Sequence, residues 1–251
     1  NAASHVRVMF VNLNSIMAAA VDDGLIAKNP CAAGSVRAPK VDRPLIVPWS
    51  PAQMLSIIEA HPPQWRAIPT VAAGCGLRQG EVFGLRVEDV DFLGRRLQVR
   101  QQVKAIKGVL TVAPPKGGKQ REVPLPEPVA LALSSHVAEH QGGPDGMLFG
   151  NTRGQLVHRS TFNQYVWKPA LRRVAIEPSR SRGMHLLRHS YASVLIDAGE
   201  SIKVVSEYLG HASAAFTLDV YGHLMPDTED RARKAIEAAF SQSLNSDAAS
   251  T

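Results

Sequence analysis

Residues 185–224 read HLLRHSYASVLIDAGESIKVVSEYLGHASAAFTLDVYGHL. Helices are predicted from His185 to Ala198 and from Ile202 to Leu209. His185 and Arg188 are one helical turn apart, so both side chains project from one face and can reach the same anion. Arginine offers a planar fork of donors that fits two phosphate oxygens. Leu209-Gly210-His211 follows, with Tyr221 ten residues after His211.

Toward the N-terminus the same chemistry recurs. In Gly76-Leu77-Arg78-Gln79-Gly80-Glu81, glycines let the backbone turn sharply into a helix and place the Arg78 guanidinium beside free helical N–H groups, a phosphate clamp. Arg96–Val103, Val109–Val112 and Arg121–Leu125 alternate apolar with polar residues. They predict a small three-stranded antiparallel sheet whose last two strands are joined by the tip PPKGGKQR, which holds Lys116 and Lys119. Further helices are expected after Ser50-Pro51, over Ala67–Ala73, from Arg78, over Pro128–His140, Thr161–Val174 and Asp227–Phe240. The fold class is therefore α+β, mainly α, with a frayed tail from Ser241 to Thr251. Residues 1–28 predict one helix that cannot bury its own apolar face, so it is expected to end a domain whose earlier part lies outside this chain. Residues 29–49, rich in proline and small residues, read as a linker, and 50–251 as a compact domain.

The 251 residues carry 28 Lys+Arg against 22 Asp+Glu, a net charge of +6 that tilts only slightly toward an anionic partner. No apolar run is long enough for a membrane span, and no signal peptide is apparent. Two cysteines, Cys31 and Cys75, make no disulfide framework and point to a reducing compartment.

Taken in order, Arg78, Lys116, His185-x-x-Arg188, His211 and Tyr221, with the flanks GLRQGEVFGL, LLRHSYAS and LGHASAAFTLDVYGHL, resemble the tyrosine recombinase (phage integrase) family. The resemblance covers the catalytic domain from about Ser50 to Phe240, and DDGLIAKNP looks like the end of the core-binding domain that precedes it. It implies the integrase-like DNA breaking-rejoining fold and a site-specific recombinase working through a 3′-phosphotyrosyl intermediate. Tyr221 would be the nucleophile, and Arg78 and Arg188 would stabilise the phosphorane. His185 would take the phenol proton, His211 would bond a nonbridging oxygen, and Lys116 would protonate the 5′-oxygen. Lys116 is preferred to Lys119 for its distance to the following Val-Pro. The resemblance also implies double-stranded DNA as partner, a homotetramer on DNA in the full-length protein, and a cytoplasmic, nucleoid-associated location in bacteria. No metal, ATP, other cofactor, small-molecule substrate or membrane partner is expected.

Each residue has a plainer reading. Arg78 could pair with Glu81 on a solvated face, and His185 and His211 could be satisfied core histidines. Tyr221 competes with Tyr165, Tyr191 and Tyr208; His189 and His223 adjoin motif residues and receive no catalytic role. His136-Val137-Ala138-Glu139-His140 matches a zinc-peptidase signature without a recognisable third ligand and reads better as a surface helix. The rival activities are a type IB topoisomerase-like nicking and closing enzyme, and a DNA-binding regulator that has lost its chemistry.

Overall fold

The computed structural model describes residues 2–40, 45–225 and four residues within 233–237. The chain divides into two compact units, residues 1–45 and 46–251. In the first, helix α1 (Ala2–Asp22) leads through Gly24, at φ +71°, into a 3₁₀ turn at Pro30–Ala32. Asn29 joins them: its amide donates to the Asn14 carbonyl at 3.2 Å, and its side-chain oxygen caps the turn at Cys31 N–H. The linker reading breaks down at its far end, where Trp49 is buried in the core of the second unit and donates its N–H to Ser190 Oγ at 2.9 Å.

Helix α2 (Pro51–Glu59) opens the second unit on a full capping box, Ser50 accepting from Gln53 N–H and Gln53 accepting from Ser50 N–H. Helix α3 (Pro63–Cys75) runs through its middle, with Ile68, Val71, Ala72 and Cys75 fully buried on one face at helical spacing. The helix expected over Ala67–Ala73 runs on through Gly74, where a Cβ would come 2.3 Å from Val129 Cγ2, so the glycine permits close helix packing. The break comes at Gly76, in the left-handed region at φ +66°. Helix α4 (Gln79–Phe83) follows at once.

The alternating segments do form strands, in a different arrangement from the one expected. Strands β1 (Val90–Asp91), β2 (Arg96–Val99) and β5 (Arg121–Pro124) make a three-stranded antiparallel sheet in the order β1-β2-β5. Strands β3 (Gln102–Ile106) and β4 (Val109–Ala113) form a separate hairpin, closed by Lys107 and Gly108 at φ +49° and +82°. The run 96–103 is interrupted because the chain must cross Gly84. Gln101 Nε2 donates to the Gly84 carbonyl at 2.8 Å, and a Cβ on Gly84 would lie 2.8 Å from Gln102 Cα. The Lys116 segment consequently bridges two sheets instead of tipping one hairpin.

Helix α5 (Glu127–Glu139) packs on α3. The HVAEH stretch, expected at the surface, turns His136 inward: it is buried, with Nε2 3.1 Å from the Leu148 carbonyl. The single helix expected at 161–174 is α6 (Arg159–Phe162), a π-turn over Asn163–Trp167, and α7 (Lys168–Arg173). Pro169 lacks an N–H and cannot continue a regular helical ladder, and the widened turn lies just before it. Helices α8 (His185–Asp197), α9 (Ile202–Leu209) and α10 (Ala214–Tyr221) close the unit, sharing a small core of Tyr191, Ala192, Ile196, Val205, Leu209 and Tyr221. The expected helix Asp227–Phe240, with Ala235, Ile236, Ala238, Ala239 and Phe240, falls almost wholly outside the described residues. Among the described residues no helix is long and apolar enough to cross a membrane.

Candidate active site

The site is organised by the C-terminal end of α9. The last carbonyls of a helix have no intrahelical partner and carry the negative end of its dipole. Here three consecutive carbonyls each take a different arginine. Tyr208 accepts from Arg121 Nε at 2.6 Å, Leu209 from Arg188 Nη2, and Gly210 from Arg78 Nη2 at 3.3 Å. Gly210 ends α9 at φ +60°, in the left-handed conformation that turns the chain away. Arg188 is tied a second time, donating from Nη1 to the Gly76 carbonyl at 2.7 Å. The N-cap of α4, helix α8 and strand β5 therefore present their guanidiniums to one helix end.

The three arginines also share one anion. Glu81 accepts both forks of Arg121, at 3.1 and 2.8 Å, and accepts Arg78 Nη1 at 2.8 Å and Arg78 N–H at 2.8 Å. Arg188 Nη1 stands 4.0 Å from the same carboxylate. Burial opposes ionisation of Glu81, but the hydrogen bond and charge of Arg121 and the charge of Arg78 outweigh it and hold its pKa at about 2. Arg188 is pushed down to about 9, first by burial and then by Arg78, against the pull of Glu81, and remains cationic at neutral pH. Three guanidiniums converge on the one Glu81 carboxylate, an excess of positive charge at this point of the site. Arg78 keeps part of its side chain open to solvent, whereas Glu81 is wholly buried.

That charge borders a cleft of about 750 Å³ lined by Arg78, Lys116, His185, Arg188, His211 and Tyr221. All six residues singled out in the sequence thus meet on one wall system. Lys119 does not line this cleft. Of the four tyrosines, Tyr221 alone does; Tyr165 is exposed and Tyr191 packs under Gly76. Tyr221 is the last residue of α10 and fully buried. Burial pushes its phenol up to about 12, with Arg188 and Arg78 pulling the other way.

The histidines hold the phenol. His211 Nδ1 is 2.8 Å from Thr217 Oγ1, and its ring stacks parallel to Tyr221 at 6.4 Å. His189 Nδ1 is 2.7 Å from the Tyr221 hydroxyl. His185 contacts His189 edge-on, with centroids 4.6 Å apart. Burial, then neighbouring cations, lower His211 to about 3 and His189 to about 4; for His185, lowered to about 3, His189 ranks between burial and the arginines. All three rings are neutral at pH 7.

Sequence reasoning missed His189, Arg121 and Thr217. His189 lay in plain view beside Arg188, but nothing in its spacing tells that it meets residue 221. Arg121 enters the sequence reading only as the start of a strand, and its inward-facing position in the alternation of β5 is the available signal.

The model of the phage integrase family matches residues 51–227. A tyrosine recombinase XerC-like protein of Caldanaerobacter subterraneus is 28% identical, over 88% of this chain and 62% of its own length. The tyrosine recombinase XerD of Pseudomonas aeruginosa is 32% identical, over 80% of this chain and 65% of its own length. The chain thus spans under two thirds of the length of these relatives. Among solved structures, a Tn1549 transposon integrase bound to circular intermediate DNA aligns with a TM-score of 0.74 at 23% identity, over 90% of this chain and 76% of that one. XerA recombinase aligns with a TM-score of 0.58 at 25% identity, over 82% and 68%. With a family model spanning α2 to the turn after Tyr221, this chain belongs to the phage integrase family.

Proposed function

We propose that the chain is the catalytic part of a site-specific DNA recombinase that cleaves and rejoins strands through a 3′-phosphotyrosyl intermediate. The observation that carries this reading is the convergence of Arg78, Arg188, Lys116 and Tyr221 on one cleft with surplus positive charge. The Tyr221 oxygen attacks the scissile phosphorus, and the 5′-oxygen leaves with a proton from Lys116. Arg78 and Arg188 stabilise the charge that builds on the phosphorane, the work that guanidiniums or metal ions do in phosphoryl transfer. His211, with Nδ1 engaged by Thr217, offers Nε2 to a nonbridging oxygen. A neutral imidazole takes the phenol proton, a role the sequence reading gives to His185. Attack by a 5′-hydroxyl of another duplex reverses the step and exchanges strands, with the bond energy kept in the phosphotyrosine.

The partner is double-stranded DNA, engaged through phosphates by the cationic cleft. The solved Tn1549 integrase and a lambda integrase dimer are both DNA complexes, which supports the reading. The full-length protein would act as a homotetramer on DNA in the bacterial cytoplasm.

A suicide DNA substrate tests the proposal. The chain should form a denaturation-resistant adduct mapping to Tyr221, and Tyr221→Phe should abolish it while DNA binding persists. An adduct that survives in the variant refutes the nucleophile. Mixing two distinguishable duplexes separates strand exchange from simple nicking and closing.

A further inference from the structure

The contact between His189 and Tyr221 joins α8 to the end of α10 at the one oxygen the reaction uses. Their rings are 5.5 Å apart and inclined at 58°, with Nδ1 facing the hydroxyl at 2.7 Å. That is hydrogen-bond distance, so no reorganisation is needed before proton transfer. We infer that His189, and not His185, is the immediate acceptor of the Tyr221 proton, a catalytic residue of the cleavage step. The inference rests on the recombinase reading above.

The bookkeeping of the step is closed. The phenol O–H bond breaks and its proton goes to His189 Nδ1, while the phenol oxygen forms its bond to phosphorus. The bond from phosphorus to the 5′-oxygen breaks, and that oxygen takes a proton from Lys116. Rejoining runs the same transfers backward, His189 returning its proton to the departing phenolate.

Among the described residues, the charged and titratable groups that act on or touch His189 fit this role. Burial, and then Arg188 on its own helix, keep the ring neutral, so with hydrogen on Nε2 it presents an acceptor at Nδ1. His185, also on α8, and His211, from the loop before α10, are themselves neutral. Tyr221 comes from α10 and is held by burial as the un-ionised phenol. A DNA phosphate entering beside Arg188 adds negative charge and raises the proton affinity of the ring at the step that needs it.

His189→Asn separates holding from proton transfer. The amide oxygen of asparagine replaces Nδ1 as an acceptor and keeps the phenol in place, but it cannot take a proton. In single-turnover cleavage, His189→Asn and His189→Ala should bind DNA as the unaltered chain does and cleave about 100-fold or more slower. Their rates should rise about tenfold per pH unit above neutrality, as hydroxide replaces the missing base, where the unaltered chain is flat. A substrate with a 5′-bridging sulfur, whose leaving group needs no proton, should restore Lys116→Ala but not His189→Asn. A loss under tenfold in His189→Asn, a flat profile, or repair by the sulfur substrate each overturns the inference. Should the unaltered chain form its adduct at a tyrosine other than Tyr221, the recombinase site as read fails first, and this result is distinct from the others.

Discussion

Glu81 and Arg121 form a two-pronged ion pair, Oε1 to Nη1 at 3.1 Å and Oε2 to Nη2 at 2.8 Å, with both side chains buried. The pair anchors the acidic end of α4 to strand β5, and Arg78 and Arg188 are set around it. Its removal should therefore be felt as stability and as positioning together.

Replacing Glu81 by glutamine leaves buried guanidiniums without their anion and should lower stability by about 3 to 5 kcal/mol, read by urea unfolding. The pH dependence has a definite sign. With the folded pKa held near 2 against an ordinary 4.5, Glu81 contributes stability that is present above pH 4.5 and disappears as pH falls toward 2. The gap between the two proteins should close over that window; a gap that stays constant would mean the carboxylate charge is not what Arg121 requires.

Gly76→Ala should cost at least about 2 kcal/mol, because φ +66° strains any residue with a Cβ and the added carbon would lie 2.3 Å from Tyr191 Cδ1. It should also reduce DNA cleavage, since the Gly76 carbonyl holds Arg188. Thermal unfolding and a cleavage assay on one sample check both, and full activity in a destabilised variant would unlink the carbonyl from the chemistry.

DNA binding at pH 6 should take up protons. His185 and His211 are held neutral by burial and by the arginines, and an entering phosphate reverses the electrostatic part of that cause. Calorimetry in two buffers of different ionisation enthalpy should show the uptake, smaller in His211→Asn. Equal heats in both buffers would place the phosphate away from these rings.

Lys104 and Arg159 also line the cleft, from β3 and α6. If they meet phosphates, each alanine substitution should reduce the slope of log affinity against log salt by about 1. Weakened binding with an unchanged slope would assign them to shape and not to charge.

The local signals survived folding well. His185, Ile202 and Leu209 begin or end helices where their patterns placed them, and Ser50 caps α2 as its type predicts. The alternating strands were legible as strands, but alternation records only which face is buried and not which strand is the partner. Val99 and Val103 therefore went to different sheets at the Gly84 crossing. The six motif residues are singled out by their order and flanks, through the resemblance to the phage integrase family, and the fold brings all six to one cleft.

What the sequence by itself determined was the set of local elements and the mainly helical class, which depend on spacing within a turn or a strand. The tertiary structure decided which atoms meet. Only folding brings three arginines onto the end of α9, gives them one shared carboxylate, and sets His189 against Tyr221. Those contacts join residues far apart along the chain, and a side chain's type does not encode the distant backbone carbonyl or hydroxyl that packing will bring to it.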